Sequence, residues 1–269
     1  MTHIFSQVPL PLAYRIGALL YTPANRVSVA DSICHQRFGT KFSLALCLED
    51  TINDAYLPQA EQQAIQTIQT IYQKRQQEEF YLPRLFIRLR SPEQIAALLQ
   101  LMGQAAELLT GFIFPKFSLE NVSAYLAALE NANHTSRSTP FFMMPVLEDA
   151  SLLSLRSRVE TLEQLKDLLQ PYYQQVLNIR VGCNDLLYKI SGNCFFFHHV
   201  PPHFSLCDII TVFCHFIYSF AEKTILPYIH TKLPDVRQHL WPFLLLIPIF
   251  SCPAPSPAQG LRYIRPDHR

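Results

Sequence analysis

The sequence predicts an α/β fold in which parallel strands alternate with helices, wound as a TIM (β/α)8 barrel with a divergent or incomplete end. Three observations carry that expectation. Short apolar runs of strand length alternate with longer segments of helical spacing through the first two-thirds of the chain. Six such units end by residue 186, at about 31 residues apiece. An eight-unit barrel takes roughly 250 residues, close to the 269 of this chain.

The units follow one another without interruption. Tyr14 to Tyr21 (YRIGALLY) is the first strand, closed by Thr22-Pro23-Ala24-Asn25, with a short helix over about 26–37. Phe42 to Leu48 (FSLALCL) is the second. After Glu49-Asp50-Thr51, a helix between Ile52 and Glu79 keeps Ala60, Ala64, Ile65, Ile68 and Ile71 on one face. Arg84 to Leu89 (RLFIRL) is the third strand, and Ser91-Pro92-Glu93 supplies an N-cap, a first-turn proline and an early acid for a helix from Gln94 to Leu101. Gly111 to Pro115 (GFIFP) is the fourth, followed by a helix from Ser118 to about Glu130 and a polar linker, Asn131 to Thr139. Phe141 to Leu147 (FFMMPVL) is the fifth, with a Leu-rich helix from Leu152 to Leu169, and Val176 to Val181 (VLNIRV) is the sixth.

Beyond residue 186 the pattern changes. Residues 187–269 hold four of the 21 acids but seven of the ten histidines and ten of the 20 prolines. The chain is therefore read as one barrel-like domain over 1–269, with six units in 14–186 and a divergent C-terminal part in 187–269. That part admits three readings: a folded barrel end, with a helix in Asp208 to Phe220 and a last strand at Phe243 to Ile249; a frame-shifted or truncated product; or a new function on an open barrel. Its His198, His199, His203, Cys207, Cys214 and His215 lack the paired short spacing of a zinc site and are read as incidental.

Composition narrows the function classes. With 22 basic and 21 acidic residues, and 49% hydrophobic residues, the chain is neither a disordered tail nor a nucleic-acid binder by charge. Its seven cysteines are an odd number without CxxC spacing, so no disulfide framework is expected, and the polar start, Met1 to Leu12, with no basic n-region before an apolar block, is not expected to act as a signal peptide. Cytoplasm is the expected compartment. The apolar run Trp241 to Phe250 is about half of what a spanning helix needs and is broken by Pro242 and Pro248, so no membrane is expected. It fits a core or a subunit interface equally well, which leaves a homo-oligomer open. Walker A, GxGxxG and GxSxG motifs are missing from the sequence.

Chemistry in such a barrel gathers where strands end. Read in order, the strand ends carry Glu49-Asp50, Arg88, Lys116, Glu148-Asp149 and Asp185. Any one taken alone is read first as a solvated loop charge or a helix cap; five consecutive units with charges weaken that reading and point to a shared rim. Glu148 and Asp185, from adjacent strands, suit Mg²⁺, which is held by a few carboxylates together with water and substrate oxygens. A metal there would polarise the carbonyl of a 2-oxo acid and stabilise the enolate left by carbon–carbon cleavage. Arg88 offers a planar fork for a substrate carboxylate.

These segments resemble the citrate lyase β-subunit and HpcH/HpaI aldolase group of Mg²⁺-dependent carbon–carbon lyases. LLYTPANR (Leu19 to Arg26) is similar to that group's opening strand and loop, LCLEDTIND (Leu46 to Asp54) to LDLEDAV, and FIRLR (Phe86 to Arg90) to vRIN. FIFPK (Phe112 to Lys116) is similar to ivlPK, PVLED (Pro145 to Asp149) to iiET, and VGCNDLL (Val181 to Leu187) to fGaeDL. Within the group the chain resembles the branch of TIM-barrel carbon–carbon bond lyases associated with tellurite-resistance gene clusters. The resemblance implies Glu148 and Asp185 as metal ligands, Glu49 and Asp50 as acids holding metal-bound water, and Arg88 as the substrate-carboxylate anchor. Lys116 and Arg26, with Asn25, match segments near the substrate or its acyl-thioester partner. The fifth strand ends in Glu-Asp instead of Glu-Thr, so Asp149 is either a competing ligand or a helix cap, and nothing after about Leu187 matches. The expected function is a Mg²⁺-dependent lyase or aldolase acting on a small oxo or hydroxy acid or its acyl-CoA ester; the alternative is a non-catalytic binding or scaffold protein that keeps a partial barrel.

Overall fold

The structure, a computed structural model, describes residues 12–134, 139–182 and 186. Asp185 and the residues expected to form the late helix, the last strand and the His/Cys cluster lie outside the described residues.

The described strands are β1 (Ala18–Pro23), β2 (Phe42–Cys47), β3 (Arg84–Arg88), β4 (Leu109–Phe114), β5 (Phe142–Leu147) and β6 (Arg180–Val181). They form one curled sheet in sequence order, every neighbouring pair parallel. Helices α1 (Val29–Cys34), α2 (Leu57–Arg75), α3 (Gln94–Met102), α4 (Val122–Asn133) and α5 (Leu155–Leu169) connect them. Parallel neighbours require such crossovers, and a strand is present in each of the six segments where the sequence predicts one.

Element boundaries shift for local reasons. The first strand starts at Ala18 and not Tyr14, because Leu12–Arg15 coil into a 3₁₀ turn and Gly17 takes a left-handed φ of +62°. α1 stops at Cys34, before the left-handed Gln36 and Gly39, and the His35 ring and the Arg37 guanidinium turn back on Asp31. α2 begins at Leu57, five residues later than Ile52, after a 3₁₀ turn capped by the Asn53 side chain, whose Oδ1 accepts from Ala55 N at 3.0 Å. Its last turn carries Lys74 and Arg75, favourable at a helix C-terminus, and Arg75 closes it by donating to Phe80 O at 2.8 Å. α3 starts at Gln94 as expected, but Ser91 does not cap it: Gln94 Oε1 reaches back to accept from Arg90 N and Ser91 N.

β6 is the largest departure. It pairs with β5 at Val146–Arg180 and Leu147–Val181, and a separate bridge joins Met143 to Val176. Three steps on β5 thus correspond to four on the other chain, a bulge that interrupts the strand expected over Val176 to Val181.

Hydrophobic burial divides between the two faces of the sheet. The outer face packs Leu46, Ile87, Phe112 and Phe114 under Ile68, Leu98, Leu129 and Tyr125 of the helices. The inner face gathers Ile16, Ala45, Phe86, Ile113, Met144 and Val146 in the barrel interior. Strands buried on both sides explain why their sequences read as continuous apolar runs. Among the described residues, no helix is long and apolar enough to cross a membrane.

Candidate active site

Backbone hydrogen bonds continue the sheet past the strand ends and fix the loops that carry the charges. Leu48 N donates to Arg88 O, Leu89 N to Ile113 O, Phe117 N to Val146 O and Gly182 N to Leu147 O, all within 2.9–3.2 Å. Glu49, Arg88, Lys116 and Glu148 are thereby brought to one rim.

Arg88 is the hub. Its Nη2 lies 2.7 Å from Glu49 Oε2, its Nη1 2.7 Å from Asp50 Oδ2, and Nη2 is 3.7 Å from Glu148 Oε1. Glu49 and Glu148 are 5% and 2% exposed, so the guanidinium offsets charges that burial would otherwise disfavour. Lys116 ties the same two acids together, donating from Nζ to Glu49 Oε1 and from its backbone N–H to Glu148 Oε1, both at 2.7 Å. It does so with a left-handed φ of +48°, a strained conformation of the kind that collects at functional sites.

The two neighbouring acids separate in proton affinity. Burial and the hydrogen bond with Asp50 push Glu49 above the usual carboxylate range, against the pull of Lys116 and Arg88. Burial also pushes Asp50 upward, but its hydrogen bond with Glu49 and the Arg88 charge outweigh that and hold it below the usual range. The two acids are coupled, and of the two Glu49 is the one that takes up a proton first as pH falls.

Arg90 organises the loop that bears these acids. Its guanidinium donates to Leu48 O at 3.2 Å, Glu49 O at 2.9 Å and Ile52 O at 2.5 Å, and pairs with Asp54. Between this loop and the start of α4 lies a cavity of about 530 Å³, lined by Glu49, Asp50, Arg90, Lys116, Asn121 and Tyr125. Asn121 holds its far wall by donating to Lys116 O and accepting from Ser118 N. Arg90, Asn121 and Tyr125 are absent from the sequence expectation; the Arg-x-Arg spacing at the end of the third strand was the one signal for Arg90.

The remaining expected residues fall elsewhere. Arg26 is exposed after β1, its Nε 3.3 Å from Ser28 Oγ, and no described interaction joins it to the cluster. Asp149 acts as a cap, its Oδ1 accepting from Ser151 N at 2.8 Å.

The donor set fits Mg²⁺ in kind. Glu49, Asp50 and Glu148 are hard oxygen donors on one rim. Beside Glu148 the chain narrows to Gly182, where an added Cβ would lie 1.9 Å from Glu148 Oε2, so the space at that carboxylate is kept by the absence of a side chain. Among the described residues alone, no group of three His, Cys, Asp or Glu side chains could enclose an ion.

A family model described as "C-C_Bond_Lyase of the TIM-Barrel fold" matches residues 10–213. Among solved structures, the chain is similar to a Haloferax volcanii malate synthase lead(II) complex, at 11% identity over 92% of this chain and 75% of that one, with a TM-score of 0.53. It is also similar to protein CitE from Mycobacterium tuberculosis in complex with magnesium and acetate (13% identity, 79% and 74% covered, TM-score 0.47). A third is the citrate lyase β subunit of M. tuberculosis complexed with oxaloacetate and magnesium (15% identity, 79% and 76% covered, TM-score 0.45). No curated protein matches the chain. At these identities the likeness to the malate synthase is one of fold.

Proposed function

Because the chain belongs to the family of carbon–carbon bond lyases of the TIM-barrel fold, we propose that its β2–β5 rim cleaves a carbon–carbon bond in a small oxo or hydroxy acid, or its acyl-CoA ester, with Mg²⁺ as cofactor. The observation that carries this reading is the cluster in which Arg88 and Lys116 join Glu49, Asp50 and Glu148 at successive strand ends. Glu148 would hold the metal with Asp185, and Glu49 and Asp50 would hold its water. When bound, Mg²⁺ supplies positive charge that offsets the acids and polarises a carbonyl oxygen.

The chain's own groups have separate tasks. Arg88 keeps Glu49 and Asp50 together with one donor from each Nη, while its buried Nε–H has no hydrogen-bond partner among the described residues and is left for a substrate carboxylate. Lys116 holds Glu148 from the backbone and Glu49 from the side chain, so the two buried acids move as one piece. In cleavage of a hydroxy acid, a base takes the hydroxyl proton, that carbon becomes a carbonyl on the departing fragment as the carbon–carbon bond breaks, and the bond's electron pair passes to the other fragment as an enolate, whose carbon then takes a proton. Glu49, with its raised proton affinity, is suited to take the first proton and return it to the enolate carbon.

The test is thermal unfolding of the full-length chain with and without Mg²⁺, then with pyruvate, oxaloacetate or glyoxylate added. A midpoint that rises with Mg²⁺, rises further with a 2-oxo acid and is flat in Glu148→Gln supports the reading. A midpoint indifferent to every addition rejects it in favour of a non-catalytic binding module.

A further inference from the structure

The second arginine inside the barrel, Arg180 of β6, is built differently from Arg88. It is half-buried, and its guanidinium carbon lies 5.5 Å above the centre of the Tyr21 ring. Among the described residues it has no carboxylate or carbonyl partner, whereas Arg88 has two carboxylate oxygens at 2.7 Å.

Its direction comes from the bulge. Val176 faces the outer core, and strict alternation from there would turn Ile179 inward and Arg180 out. The extra residue reverses this: Ile179 joins the outer core, and Arg180 comes into register with Val146, which faces the interior. Bulges next to active sites re-aim side chains in this way. The contact with Tyr21 fits this direction, because β1 and β6 stand at opposite ends of the described sheet and Arg180 reaches the Tyr21 ring from one to the other.

Arg180 stands in register with Val146, which belongs to the apolar inner face, and none of its nitrogens is among the fully buried unpartnered atoms, so its donors are open to exchange water for a ligand. The Tyr21 ring supports the charge but satisfies none of its five N–H donors. Tyr21 is 39% exposed, so the ground beside the guanidinium is open to a small molecule. It also adjoins the rim: burial raises the Tyr21 hydroxyl's proton affinity, while Arg180, Arg88 and Glu148 all act on it electrostatically.

We propose that Arg180, stacked on Tyr21, anchors a second carboxylate of the substrate, distinct from the end that a metal held by Glu148 would take. A planar fork with free donors suits a carboxylate held through two parallel hydrogen bonds. The inference rests on the lyase reading and sharpens it: the substrate has two anionic ends, one at the acid-rich rim and one at Arg180.

Isothermal titration of the full chain separates the two claims, with pyruvate (one carboxylate), oxaloacetate (two, with the oxo group), succinate (two, without it) and inorganic phosphate as probes. In the wild type with Mg²⁺, oxaloacetate should bind at least tenfold more tightly than pyruvate. Arg180→Met should abolish that advantage, a loss of roughly tenfold to a hundredfold, and Arg180→Lys should restore only part of it. Tyr21→Leu, which keeps the charge but removes its platform, should shrink the advantage severalfold and serves where Arg180→Met does not fold. An oxaloacetate-to-pyruvate ratio unchanged in a folded Arg180→Met overturns the anchor even if pyruvate binding depends on Mg²⁺ and Glu148, in which case the lyase reading stands. Succinate binding that needs Arg180, with no probe sensitive to Mg²⁺ or Glu148→Gln, supports the anchor and rejects the lyase site. Phosphate binding as tightly as succinate overturns the assignment to a carboxylate, and no binding of any probe to the wild type overturns both.

Discussion

On the outer face of the sheet, Phe112 and Phe114 are fully buried in hydrocarbon; on the inner rim, Glu49 and Glu148 are almost as buried, but among charges. The same lack of exposure is thus reached by opposite means. Outside, burial is favourable in itself and each apolar contact adds a little. At the rim, burial is unfavourable for every carboxylate and is offset only while Arg88 and Lys116 stay in contact. The outer layer holds the fold, and the rim is held by it.

The largest effect should come from breaking the outer layer. Phe112→Ala removes a ring that packs 5.3 Å from Phe141 and should cost about 4 kcal/mol in urea unfolding. Whatever folded protein remains should still respond to Mg²⁺. Arg88→Met attacks the other side. It takes the shared guanidinium from the buried Glu49 and Glu148 and leaves Lys116 to pair with Glu49, at a cost of about 3 kcal/mol at neutral pH. Its pH dependence separates it from a packing defect. Arg88 lowers the proton affinity of Glu49, so without it the folded-state pKa of Glu49 climbs further above the unfolded value. A group with such a raised acid pKa binds its proton more tightly when folded, so the deficit of Arg88→Met should shrink as pH falls toward the carboxylate range. The Phe112→Ala deficit should not, and stability measured at two pH values checks the contrast.

Gly182→Ala probes the seam between the regions. The new methyl group would meet Glu148 Oε2 at 1.9 Å and its Cβ at 2.7 Å, so the carboxylate must leave its present place. A stability loss of about 1–3 kcal/mol is expected, together with loss of any Mg²⁺-dependent rise in midpoint. A variant that loses stability but keeps the full Mg²⁺ response would remove Glu148 from the ligand set.

The difference between the regions also decides what could be read without coordinates. The outer layer was legible: the face Ala60, Ala64, Ile65, Ile68 and Ile71 of α2 is buried as its spacing predicted, and β2, β3, β4 and β5 lie within two residues of the apolar runs, while β1 and β6 each start four residues late. The rim was legible as a set of charges, since strand ends are countable, and Glu49, Asp50, Arg88, Lys116 and Glu148 do come together. Which partner each takes was not. Lys116 acts through a backbone amide made available by its left-handed φ, and the roles of Arg90 and Asn121 are contacts to carbonyls distant in sequence. Arg180 was hidden for a different reason. A period-two reading of VLNIRV turns it outward, and only the unequal count between Met143–Val176 and Val146–Arg180 turns it in.

Tyr125 belongs to both regions and gives the smallest and most specific effect. Its ring stacks on Phe114 at 4.4 Å in the outer layer, while the residue lines the cavity that Glu49 and Lys116 share. Burial, reinforced by the charge of Glu49, raises its hydroxyl well above the ordinary value of 10.0. The unfolded chain therefore loses this proton at a lower pH than the folded one does. Between the two values the folded state binds more protons, so stability falls as pH rises through the unfolded value, and below it the hydroxyl contributes no pH dependence. Tyr125→Phe removes the ionisable group but keeps the ring. Its stability at neutral pH should stay within about 1 kcal/mol of the wild type, and its loss of stability in alkali should be less steep. Tyr21, raised in the same direction, leaves part of the slope in place. Parallel alkaline limbs for the two proteins would mean that the Tyr125 hydroxyl reaches water through the cavity, and that the boundary between hydrocarbon and rim lies deeper than Phe114.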